Sequence, residues 1–192
     1  TFARELRERG FDVFVGGVPA YSTLGWFDDP VLNTFINYPD YELARLIFHE
    51  LAHQVVYVKD DTEFNESFAA AVETEGVMRW IARYGTDAMR ADFAHSQQRR
   101  VQFAALVLKH RRELGALYRE KLAPAAMRER KAAIYAALKA DYARLKAEWG
   151  GYAGYDRFFD EPNNAKLASI AIYNARVPQF QQLIARYNGD FS

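Results

Sequence analysis

The chain contains no cysteine, which excludes disulfides and thiolate catalysis and leaves the redox compartment open. No run reaches the roughly 18 consecutive apolar residues of a membrane-spanning helix. An excess of charge is also missing. The 25 Lys and Arg balance 25 Asp and Glu, so nothing draws the protein as a whole toward nucleic acid or an anionic membrane. Neither an initiator Met nor a signal peptide precedes Thr1-Phe2-Ala3, and a removed N-terminus is therefore expected to have held any targeting information.

Half of the 192 residues are hydrophobic, enough for one substantial core, and residues 1–192 read as a single domain. The residues that carry chemistry stand in His49-Glu50-Leu51-Ala52-His53 and, twelve residues on, Asn65-Glu66-Ser67-Phe68-Ala69. On a helix His49 and His53 share a face one turn apart, so both imidazoles can meet one ion, while Glu50 is rotated from them by about 100°. Catalytic zinc takes three N or O ligands and keeps a fourth position for water. Two histidines are one ligand short. Glu66, opening the next helical stretch after a turn at 59–62, is the expected third; Asp60 or Asp61 in that turn is the alternative, though a loop carboxylate is less firmly held. Glu50 is the expected general base. Helix signals surround the motif: Pro39-Asp40 as a start with Asp40 as N-cap, then an apolar stripe of Leu43, Leu46, Ile47, Leu51, Val55 and Val58 expected to face the core. A three-histidine zinc signature would need Gly and His where Val56 and Lys59 stand.

His-Glu-Leu-Ala-His-Gln with a downstream Asn-Glu-x-x-Ala resembles the gluzincin metallopeptidases, zinc aminopeptidases above all. The longer strings Ala20 to Pro30, Ile47 to Gln54 and Phe64 to Ala69 are more closely similar to a bacterial family of predicted aminopeptidases, and the resemblance runs over most of the chain, Asn163-Asn164-Ala165 included. It implies a peptide substrate, Zn²⁺ held by His49, His53 and Glu66, and Glu50 as base. It also implies that Glu73, two turns beyond Glu66, orients a ligand imidazole, that Asn163 and Asn164 are substrate contacts, and a setting in the bacterial cell envelope or periplasm. The sequence departs from the larger enzymes twice. The spacer from His53 to Glu66 is shorter, and no acid stands in Gly16-Gly17-Val18-Pro19-Ala20, where those enzymes carry the glutamate that grips a free amine. Asp28 and Asp29 are the candidate substitutes.

Elsewhere Phe11 to Val15 alternates like a strand, and Ala20 to Phe27 is a second extended candidate in which Tyr21 to Leu24 would bind substrate backbone by edge addition; an ordinary hairpin covering the core would explain the same letters. The expected fold is mainly α with this small β element around a gluzincin-like zinc helix. From Ala88 to Leu122 the only breaker is Gly115, and Phe103, Val107, His110, Leu114 and Leu117 recur at alternating spacings of four and three. Ala125 to Trp149 answers through Met127, Ile134, Leu138, Tyr142, Leu145 and Trp149, so 86–149 reads as a projecting antiparallel helical hairpin. Its charges read as a solvated face, with a partner-binding arm as the other reading. A zinc peptidase also needs a donor for the oxyanion, for which Tyr152, Tyr155 and Tyr173 are candidates. Opposed to the peptidase stands a non-catalytic scaffold whose metal site is structural or vestigial and whose working surface is the hairpin.

Overall fold

The computed structural model describes residues 1–17, 20 and 22–190, and among them all regular structure is helical. The helices are α1 (Phe2–Glu8), α2 (Asp40–Val55), α3 (Thr62–Tyr84), α4 (Asp87–Leu117), α5 (Pro124–Glu148), the single turn α6 (Asp156–Phe159), α7 (Asn164–Asn174) and α8 (Val177–Arg186). They fall into two compact units, Thr1–Val15 with Gln97–Ala171 and Gly16–Ser96 with Ile172–Ser192.

The first unit contains the hairpin. Gln102 accepts from Trp149 at 2.7 Å, His110 meets Asp141 at 2.9 Å and Glu120 meets Arg130 at 2.8 Å, so α5 descends in number as α4 rises and the two are antiparallel. The five seam residues inferred from spacing are the five buried residues of α4. Phe103, Val107 and Leu114 pack with Leu138 and Tyr142 of α5, Phe159 of α6 and Leu167 of α7. Heptad-like spacing wins here because a long helix with one narrow stripe buries it only against a second helix.

No strand forms among the described residues, which corrects the expected β element. Residues 11–15 are extended, but their polar groups go to the start of α7 and to the hairpin. The Asp12 carboxylate accepts from Asn164 N at 3.1 Å and pairs with Lys131, and Val13 O accepts from Asn163 Nδ2 at 3.2 Å. Residues 22–29 form a turn. Leu24 and Gly25 have φ of 57° and 84°, and Asp29 Oδ2 accepts from Thr23 N at 2.8 Å while Thr23 Oγ1 accepts from Phe27 N at 3.1 Å. Two successive left-handed residues reverse the chain, and β-forming side chains cannot override that. Tyr21 lies outside the described residues.

In the second unit α2 packs on α3, but not by the stripe expected. Ile47, Leu51 and Val55 are 54%, 47% and 78% exposed, while Ala44 and Ala52 are buried and Phe48 packs on the cluster of Ala44, Val77 and Ile81. The reason is close approach. A Cβ on Gly76 of α3 would stand 2.8 Å from the Phe48 ring, so a face of small residues lets the helices meet and carries the two histidines inward. Asp40 likewise is not the N-cap. That position is Pro39, and Asp40 lies in the first turn, where its charge suits the helix dipole. The α8 residue Phe180 packs on Phe64 and Phe68 of α3, ring centroids 5.2 and 5.6 Å away.

Candidate metal centre

The connection between α2 and α3 is held tightly. Asn65 receives Val58 N on its Oδ1 and donates Nδ2 to Val58 O, both at 2.8 Å. Asp61 caps α3 by accepting from Phe64 N at 2.9 Å and pairs with Arg176. Asp61 is thus committed to folding, and the carboxylate brought to the histidines is that of Glu66.

His49 Nε2 and His53 Nε2 are 3.3 Å apart, Glu66 Oε2 is 3.3 Å from His49 Nε2, and Glu66 Oε1 is 3.8 Å from His53 Nε2. A tetrahedral ion with ligand bonds of about 2.0–2.2 Å has ligand–ligand edges of about 3.3–3.6 Å, 1.63 times the bond. The His49–His53 and His49–Glu66 distances lie at that length, while the approach to His53 is longer and made by the other Glu66 oxygen; His49, His53 and Glu66 form the one group of this kind among the described residues that could hold a metal ion. Two facing imidazole nitrogens need a cation or a shared proton between them. Burial opposes charge on His49, yet hydrogen bonds from Glu66 and Glu73 outweigh it and raise its pKa to about 9. His53, buried and next to that charge, is shifted down, and its Nδ1 is buried with no partner among the described residues.

Behind His49 stands Glu73. Its Oε2 lies 2.8 Å from His49 Nδ1, which places a proton there and turns Nε2 toward the centre. Burial would raise the pKa of Glu73, but His49 and Arg45 hold it below the usual carboxylate range. Arg45 donates to Glu73 Oε1 through Nε at 2.8 Å and through Nη2 as well. Arg45 was not singled out from the sequence. Its position four residues before His49 on the same face of α2 was the available signal. We expect Glu73→Gln to weaken zinc affinity about 10- to 100-fold, and Arg45→Ala to do so by less, because each loosens an imidazole without removing a ligand. Competition against a fluorescent zinc chelator measures both; unchanged affinity would show that His49 is oriented by packing alone.

Ser67, buried beside Glu66, is a second residue that the sequence did not reveal. Its Oγ donates to Ile172 O and accepts from Arg176 N, both at 3.3 Å, and so holds the chain on either side of Tyr173. The Tyr173 ring lies 6.4 Å from that of His49. Burial, then the charges of Glu66 and Glu50, raise its phenol pKa and keep it a hydrogen-bond donor. Glu50 is half-buried, and its charge is felt by both His53 and Tyr173.

The remaining candidates make other contacts. Tyr155 stacks on Phe103 in the first unit, centroids 4.2 Å apart, and Tyr152 lies under Arg99 in the same unit. Asn163 caps α7 through Lys166 N, and Asn164 Oδ1 receives the hydroxyls of Tyr118 and Tyr135. Both asparagines fasten the first unit together. Asp28 is exposed, and Asp29, its pKa lowered chiefly by the Thr23 amide, closes its own turn. Among the described residues no helix is long and apolar enough to cross a membrane.

The helical scaffold thus presents two histidines one turn apart and a carboxylate from the next helix as a group that could hold a metal ion. A family model described as "Putative aminopeptidase" matches residues 1–192. The chain belongs to that family. No curated protein and no solved structure matches it.

Proposed function

We propose that the protein is a zinc-dependent aminopeptidase of the gluzincin type, with His49, His53 and Glu66 as ligands. The observation that carries this reading is the convergence of His49, His53 and Glu66, whose ligand atoms lie within 4.8 Å of one another. A zinc ion there would supply Lewis acidity and bring the pKa of a bound water to about 7. Glu50 takes the proton of the attacking water and returns it to the leaving amine. Tyr173, kept protonated, donates to the carbonyl oxygen as it gains charge. Glu73 and Arg45 hold the His49 ring through the cycle. The family match spans both units, which supports treating residues 1–192 as one functional domain, and the resemblance favours an envelope or periplasmic setting.

End selectivity needs a fixed carboxylate for the substrate ammonium, since an unpaired charge taken from water binds without discrimination. The Asp28-Asp29 turn fills that role in this reading. Zinc content and hydrolysis of matched free and N-acetylated peptides test the proposal. We expect stoichiometric zinc, cleavage of the free-amine series, and a selective loss on those peptides in an Asp28→Asn, Asp29→Asn double variant. Equal losses on both series would remove the turn from amine recognition. Zinc binding without hydrolysis of either series would return the protein to the scaffold reading.

A further inference from the structure

Outside the metal centre, the first unit carries a groove of about 640 Å³ between α4 and α7. It is lined by Arg111, Arg112 and Gly115 from α4, by Tyr118 and Arg119 in the turn just past its end, and by Asn164, Leu167 and Ala168 from α7, with Leu114 at its floor. Residues 111, 115, 118 and 119 share one helical face with 112 at its edge, so the three guanidinium groups border a single concavity. None of the three has an acidic partner among the described residues. Elsewhere in the first unit bases do find acids: Lys109 and Arg144 on Asp141, Arg130 on Glu120, and Lys146 on Asp156.

Gly115 is the second, independent observation. Glycine is among the poorest residues for a helix interior, and a Cβ placed there would meet nothing within 4 Å. Neither packing nor backbone conformation calls for it. A side chain at 115 would instead occupy the groove. Guanidinium forks match phosphate and carboxylate oxygens in pairs, and the apolar floor of Leu114 and Leu167 suits the carbon part of the same molecule.

We infer that this groove is a binding site for a phosphate-bearing ligand, separate from the proposed metal centre in residues and chemistry. The shared chemistry is a phosphate oxyanion, carried by a soluble phosphate ester or by a lipid headgroup. The test uses the full chain. Inorganic pyrophosphate is titrated into ¹⁵N-labelled protein, and co-sedimentation is measured with phosphatidylglycerol vesicles and with phosphatidylcholine vesicles. Two variants accompany each arm: Arg112→Gln with Arg119→Gln, which removes charge from an exposed face, and Gly115→Leu, which fills the groove while favouring the helix. We expect saturable shifts at amides in 111–119 and 164–168, weakened at least about tenfold in both variants, as loss of two charge-assisted contacts predicts. Sedimentation with phosphatidylglycerol alone, lost in the same variants, identifies a headgroup; pyrophosphate binding without sedimentation identifies a soluble ester. Absence of binding in both arms, or binding that neither variant weakens, overturns the inference.

Discussion

Glu50→Gln should retain zinc at full stoichiometry and lose peptide hydrolysis by a factor of about 10²–10⁴, the contribution of a positioned general base. That factor corresponds to about 2.7–5.4 kcal/mol of barrier. The substitution keeps the shape of a half-buried side chain that makes no hydrogen bond to other described residues, so folding should be unaffected. What changes is the capacity to accept a proton. Glu50, turned about 100° from His49 on α2, is not among the grouped ligands. The loss should therefore appear in kcat, with KM nearly unchanged. Turnover equal to that of the unaltered protein would assign water activation to another residue, and loss of zinc would make Glu50 a ligand.

Glu66→Ala should abolish metal binding under conditions in which the unaltered protein is saturated. Removing the carboxylate leaves two imidazoles on one helix, with nothing from α3 to close the set. The drop in affinity should exceed the factor of about 100 that marks the upper range for loosening a ligand from behind. Thermal unfolding gives a readout independent of activity. Zinc at 100 times its Kd stabilises a native site by about 2.7 kcal/mol, and that zinc-dependent rise in Tm should vanish in Glu66→Ala. Glu66 lies 3.3 Å from His49 and 3.8 Å from His53, so with zinc withheld the variant should also be somewhat less stable than the unaltered protein. A retained zinc shift would point to a different third ligand, and Asp61, now occupied by the α3 cap and Arg176, would be the first to examine.

Short-range periodicity was legible in the sequence because it needs only the geometry of one helix. The pairing of His49 with His53, the start of the next helix ahead of Glu66, and the narrow seam from Phe103 to Leu117 all follow from 3.6 residues per turn. Periodicity could not say which face of α2 turns inward. The large apolar residues Ile47, Leu51 and Val55 were the stronger signal by hydrophobicity, yet the inward face belongs to Ala44, Phe48 and Ala52. What decides between them is Gly76, 28 residues from Phe48, whose missing side chain admits the ring. The chain before α2 shows the same limit. Alternating residues at 11–15 form no ladder among the described residues, since a strand requires a neighbour and this segment is instead tied to Asn163, Asn164 and Lys131. Three aromatic hydroxyls competed for one role on composition alone. Tyr173 is set beside His49 because Ser67, more than 100 residues earlier, holds the backbone around it, whereas Tyr155 is stacked on Phe103. The sequence by itself thus determined the helical class and pointed to His49, His53 and Glu66 as a group that could hold a metal ion, because both rest on local spacing. The tertiary structure alone decided the buried face, the Arg45–Glu73 support and the placement of Tyr173, because each depends on contact between residues far apart in the chain.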